Sequence, residues 1–171
     1  MANFLSNKTA RKLRIIGIYQ FLGGFLGIGF TCLVIMNQAI FTSLVLFIVA
    51  IMLTFFSYSI FCGILLIKKK KSGLFHSKIN QYLQLFGFAS YGYAYQFASG
   101  ACFTLGIDLT NSFFFTFNAS LSSFHVSINT DSNSLLINFN LVALFMILFI
   151  EGLEKKITVE ELKSQISDIG I

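Results

Sequence analysis

Residues 15–67 read IIGIYQFLGGFLGIGFTCLVIMNQAIFTSLVLFIVAIMLTFFSYSIFCGILLI, and not one of these 53 residues is Asp, Glu, Lys or Arg. Arg14 precedes the run and Lys68-Lys69-Lys70-Lys71 closes it. About 20 apolar residues cross the ~30 Å of hydrocarbon in a bilayer at 1.5 Å of helical rise, so the run holds two crossings. Asn37-Gln38 is the polar interruption between them and suits a tight turn between antiparallel helices. The first crossing is expected over residues 15–36. Its apolar core is too long for a cleavable signal and lacks a small-residue cleavage site. The second is expected over residues 40–67, long enough to tilt.

The rest of the chain supports a membrane reading. Of its 171 residues 56% are apolar and only 11% charged, with 22 Phe, no Trp and no Pro. An average soluble domain carries roughly 25% charged residues. That composition excludes an ordinary soluble fold and a disordered chain. A third charge-free stretch, residues 79–107, is richer in Gln, Ser and Tyr, and a fourth, residues 135–150, is short and contains Asn138 and Asn140. Both are expected to cross. The predicted fold class is therefore an all-α membrane protein of four transmembrane helices forming one domain over residues 1–171.

In that arrangement all 12 Lys and Arg fall on one side, whereas Asp108 and Asp131 fall on the other. The asymmetry places both termini in the cytoplasm of a cell that holds the protein in its cytoplasmic (plasma or inner) membrane. The net charge of +5 then belongs to a membrane face and not to a nucleic-acid-binding surface. Lys68, Lys69, Lys70 and Lys71 are the expected inner-face lipid contacts.

Between the third and fourth stretches the period changes. Phe113, Phe115 and Phe117 share one face of SFFFTFNASL, and Phe124, Val126 and Ile128 alternate with His125, Ser127 and Asn129. A period of two marks half-buried strands, so a small β-hairpin is expected over residues 112–130 on the outer side. Residues 151–171 form a mixed-charge cytoplasmic tail, in which Thr158 and Glu161 have the spacing of a helix capping box.

Small residues suggest how the helices meet. Gly23 and Gly27 form a GxxxG, while Gly87, Ser90, Ala94 and Ala98 recur at intervals of three and four. Such faces let backbones approach closely where lipid offers no hydrophobic gain from association. Packing within one chain is the plainer reading, and association with a membrane-protein partner or a second copy is the sharper one. Tyr91, Tyr95, Gln96 and Ser99 are candidate polar lining should the third crossing border a path.

Catalytic groups are sparse. His76 and His125 fall on opposite sides of the membrane, and Cys32, Cys62 and Cys102 lie within crossings without CxxC spacing. No metal, cofactor or catalytic set is expected, and no HExxH, GxSxG, P-loop or Rossmann fingerprint occurs. A pairing of Ser122 or Ser123 with His125 lacks a preorganised oxyanion site. No crossing carries a charge near its centre, which disfavours proton coupling. The expected function is non-enzymatic: a small accessory or assembly subunit packing on membrane partners or on itself. The alternative is a small oligomeric channel or carrier for an uncharged or lipid-like solute.

The lysine run, the following SGLFHSKINQYLQ of residues 72–84 and the Tyr/Gly-rich stretch after it resemble small uncharacterised four-span bacterial membrane proteins. The resemblance covers about a third of the chain. It implies the four-span fold but brings no activity and no site residues.

Overall fold

The computed structural model describes residues 5–37, 42–130 and 133–169. Gln38, Ile40 and Asp131 of the expected turns and span ends lie outside them. Helix α1 (Asn7–Met36) and helix α2 (Ser43–Ile67) cover the stretches expected as the first two crossings, with α1 starting eight residues before Ile15. Both are long and apolar enough to cross a membrane. Ser6 caps α1 by accepting from the Thr9 amide, and Thr42 caps α2 by accepting from the Val45 amide. These caps satisfy amides that the first helical turn leaves open.

The expectation of four transmembrane helices is overturned beyond Lys71. Helix α3 (Ser72–Leu85) runs without a loop into strand β1 (Phe86–Ser90), followed by β2 (Tyr93–Phe97) and β3 (Ala101–Asp108). The expected third crossing is thus mostly sheet, with only residues 79–85 in helix. Its reason lies in a second period within the sequence. Phe86 and Phe88, then Tyr93, Tyr95 and Phe97, alternate with small residues, and aromatic alternation belongs to a pleated surface. Gly87, Gly92, Gly100 and Gly106 in the same stretch weaken any helix by about 1 kcal/mol each. Three- and four-residue spacing of small side chains was the weaker signal.

Strands β4 (Phe114–Leu121) and β5 (Phe124–Ser127) occupy the expected hairpin, but they do not pair with each other. The expected fourth crossing begins as strand β6 (Leu135–Asn140) and becomes helix α4 (Leu141–Ile169). Asn140 makes that switch, accepting on Oδ1 from the Val142 and Ala143 amides at 3.0 and 3.3 Å. Helix α4 continues through the charged tail, so Thr158 sits mid-helix and donates back to the Glu154 carbonyl.

The six strands form one antiparallel sheet in the order β4-β3-β6-β1-β2-β5. Although β2 and β3 are joined by only residues 98–100, β1 and β6 lie between them in that order. The Ala98 amide donates to the Ser123 carbonyl and the Ser122 amide to the Gly100 carbonyl, both at 2.8 Å. These bonds carry the β2–β5 and β3–β4 ladders around a shared corner, so residues 93–108 and 114–127 act as two long, bent, paired strands. Gly100 and Ser122 turn the corner with φ of 98° and 43°, where Gly is at ease and Ser is strained. Because β1 and β6 bridge the two arms, the sheet curls on itself.

Glycines set the approach of the parts. A Cβ on Gly17 would lie 2.8 Å from the Gly63 carbonyl oxygen, and one on Gly24 would lie 2.6 Å from that of Phe56. A Cβ on Gly27 would collide with the Phe56 ring, and one on Gly23 with the Gly100 backbone. Below this contact Leu13, Ile16, Leu66, Leu74, Met146, Ile150, Leu153 and Ile157 form a core shared by all four helices.

Candidate functional site

Three neighbourhoods carry the polar chemistry. The first is a buried seam where the sheet corner meets α1, α2 and α3. Ser59 is its hub. Its hydroxyl donates to the Gln20 carbonyl at 3.2 Å and accepts from Asn80 Nδ2 at 3.1 Å and from the Ser99 hydroxyl at 2.8 Å. The Ser77 hydroxyl donates to Gln20 Oε1, and Gln84 Oε1 accepts from the Ser99 amide. Nearby, the Ser122 hydroxyl donates to the Gly23 carbonyl and accepts from the Gly100 amide at 2.8 and 2.9 Å. The Tyr19 hydroxyl donates to the Ala101 carbonyl.

No carboxylate, lysine, arginine or histidine belongs to this network of uncharged side chains among the described residues. Its chemistry is cohesion: each bond joins elements that no apolar driving force would hold together in lipid. Among the described residues Gln20 Nε2, Asn80 Oδ1 and Gln81 Nε2 are buried without a partner, and such orphans cost about 1–3 kcal/mol each.

The second neighbourhood is the sheet itself, whose two faces differ in chemistry. On one face Phe86 stands opposite Phe139, Phe88 opposite Ile137, Leu105 opposite both Phe139 and Phe117, and Ile107 opposite Phe115. Near β2 and β5 this face is covered, because Phe55 and Phe56 of α2 pack on Phe97 with ring centroids 5.1 and 5.4 Å apart. Away from α2 it is bare: Phe115 and Phe117 are 62% and 66% exposed. The other face carries Gly87, Cys102, Thr104, Gly106, Asn118, Asn138 and Asn140, and it is the more buried one. At its tightest point a Cβ on Gly106 would collide with Asn138 Oδ1. A sheet that shows its aromatic face and hides its small and polar face inverts the soluble arrangement.

The third neighbourhood is the charged end. Lys78 pairs with Glu154 at 2.6 Å and Lys71 with Glu161 at 2.9 Å. The hydrogen bond to Glu154 raises the Lys78 pKa. Glu160 accepts from the Ser6 amide and from the Ser6 and Thr9 hydroxyls at 2.7–3.0 Å, clasping the start of α1 to α4. Burial opposes the Glu160 charge, but those bonds and Lys156 hold its pKa below the usual value. Away from this end, the hydroxyl and backbone amide of Thr110 lower that of Asp108.

The residues singled out by sequence disperse over these neighbourhoods. Gly23 meets the sheet corner and Gly27 meets α2, so they serve different partners. Gly87, Ser90, Ala94 and Ala98 form no helical face, because the first three lie on strands and Ala98 at the corner. Of the four polar candidates, Tyr91 is an exposed turn residue, and the Tyr95 hydroxyl is tied to the Leu83 carbonyl. Gln96 lies on the opposite sheet face from Tyr95, while Ser99 is consumed by the seam. They border no common path.

His125 meets Ser127 at 3.3 Å, Ser123 meets Ser120, and Ser122 is engaged at the corner, so the imagined Ser–His pairing does not form. His76 Nδ1 lies 3.1 Å from the Tyr58 hydroxyl. Among the described residues no cluster of three His, Cys, Asp or Glu could hold a metal. Sequence reasoning missed the seam. The signal was present in Ser77, Asn80, Gln81 and Gln84, whose spacing places them on one side of a helix. The chain matches no family model, no curated protein and no solved structure.

Proposed function

We propose that the protein is a non-enzymatic integral membrane protein, an accessory or assembly subunit that packs on another membrane protein or on a second copy of itself. The carrying observation is the bent strand of residues 114–127, which lies at the end of the sheet order on both of its arms and so has one edge unpaired among the described residues. That edge borders the bare aromatic face. The sheet corner docks at Gly23, nine residues past Arg14 and about 13 Å beyond it along α1 at helical rise. In a membrane crossed by α1 and α2, this places the corner at hydrocarbon depth. Phe115 and Phe117 then suit acyl chains, but open backbone groups do not, since each costs several kcal/mol without water. A partner strand or a partner helix covering β4 relieves that cost.

With two crossings the chain returns to its starting side. The charged ends of α1 and α4 and the lysine turn meet through Ser6–Glu160 and Lys71–Glu161. We place this end, and both termini, at the cytoplasmic face.

The test is photo-crosslinking in the native membrane from positions 115 and 117, with position 153 in the helical core as control. Adducts to a membrane protein or to a second copy, confined to the β4 positions, are expected. A monomer without β4 adducts, also monomeric in mild detergent, would overturn the reading.

A further inference from the structure

Only Lys71, Lys78 and Lys156 form ion pairs among the described residues, and three of the remaining cations share one groove. Arg11 and Arg14 lie one turn apart on α1, and Lys69 faces them from the α2–α3 turn across an open groove of about 470 Å³. Asn7 lines the groove at one end, and Ile15 and Ile18 line it at the other. Among the described residues no carboxylate lies within ion-pairing distance of Arg11, Arg14 or Lys69. The nearby acids are engaged elsewhere: Glu154 with Lys78, Glu160 with Ser6 and Thr9, and Glu161 with Lys71.

Lys69 is also conformationally costly. The Lys69 amide donates to the Leu66 carbonyl and the Lys70 amide to the Leu65 carbonyl, both at 2.9 Å. This is the Schellman ending of a helix, and it puts Lys69 at the left-handed position, with φ of 53°. Glycine is the usual residue there, and an L side chain costs roughly 1–2 kcal/mol. Within the run Lys68–Lys71, Lys69 is half-buried and its three neighbours are exposed. A strained, partly buried, unpaired lysine facing two unpaired arginines is a cradle for an anion.

We infer that Arg11, Arg14 and Lys69 bind the phosphate of an anionic phospholipid headgroup, with Ile15 and Ile18 guiding an acyl chain along α1. Ile15 and Ile18 decide for lipid over free phosphate. They are exposed apolar side chains continuing from the cations along the charge-free part of α1. The inference rests on the membrane reading proposed above.

The full chain, purified in detergent, is tested by thermal unfolding with added phosphatidylglycerol, phosphatidylcholine or inorganic phosphate. Phosphatidylglycerol alone should raise Tm. In R11Q/R14Q its half-saturating concentration should rise about tenfold or more, whereas K68Q/K70Q, which also removes two charges, should behave as wild type. Lys69→Gly should match or exceed wild-type Tm without lipid yet lose the phosphatidylglycerol response, a split that damage to the fold would not give. Equal shifts with inorganic phosphate, or equal losses in K68Q/K70Q and R11Q/R14Q, would overturn the site. Alkaline carbonate extraction of the wild type separates the two readings. Release from the membrane would defeat the membrane reading itself, while retention without lipid selectivity would defeat the site alone.

Discussion

The α1–α2 hairpin and the segment from Ile79 to Asn140 are both dominated by apolar and uncharged polar residues, yet one folds as two long helices and the other mainly as a curled sheet. In the hairpin, apolar side chains surround each helix, and glycines occur where the neighbouring chain comes closest. In the sheet, large apolar residues alternate with small or polar ones, so one face is aromatic and the other small and polar. Low charge therefore fixes the solvent a segment tolerates, whereas the period of its side chains fixes its backbone. Helix and ladder bonds pair the backbone of each region, and among the described residues the strand over residues 114–127 keeps one open edge.

The largest test separates the two regions at their contact. Gly23→Val should force α1 away from the Gly100 backbone and destabilise the protein by about 3 kcal/mol or more. Gly29→Val, where an added Cβ meets nothing within 4 Å, should be nearly neutral. Thermal unfolding in detergent compares them, and equal losses would mean that the sheet does not dock at Gly23. Next comes Ser59→Ala, which removes the hub joining α1, α2, α3 and the corner; a loss of about 2–3 kcal/mol is expected. Thr54→Ala, which removes only a bond to its own helix at Ala50, should cost under about 0.5 kcal/mol.

Glu160→Gln probes the opposite end and should cost about 1–2 kcal/mol at neutral pH. Its folded pKa is lowered, so the stabilisation is fully present above the ordinary carboxylate value. It is lost as pH falls through the lower folded value. The gap between wild type and variant should close in acid, which unfolding at a series of pH values will show. The smallest intrinsic effect belongs to the bare face. Phe117→Ser should change the stability of the isolated protein by no more than about 0.5 kcal/mol, while reducing β4 crosslinks in the membrane. A large loss of intrinsic stability would mean that the face is packed within the chain.

Much of the hairpin was legible because it depends on local quantities. Charge-free length, the lysine stop and the polar Asn37 are properties of consecutive residues. The period of Phe113, Phe115 and Phe117 was equally local, and it marked strand β4 correctly. Its partner was not legible: β4 pairs with β3, which lies within the stretch expected as the third crossing. Alternation at Phe86, Phe88, Tyr93, Tyr95 and Phe97 competed with the spacing of Gly87, Ser90, Ala94 and Ala98, and charge-free length favoured the helix. The seam escaped for another reason. Gln20, Ser59, Asn80 and Ser99 are far apart in the chain, and only folding makes them neighbours.

By itself, the sequence determined two long apolar helices, the end of the second at the lysine run, and the strand character around Phe115. Each follows from composition or from the period of nearby side chains. The tertiary structure alone decided that residues 86–140 join as one curled sheet, that Gly23 and Gly27 serve different contacts, and that Lys69 stands apart from its neighbouring lysines. Those outcomes depend on which distant backbones can approach and pair, and strand order and register are set by long-range contacts that no local period encodes.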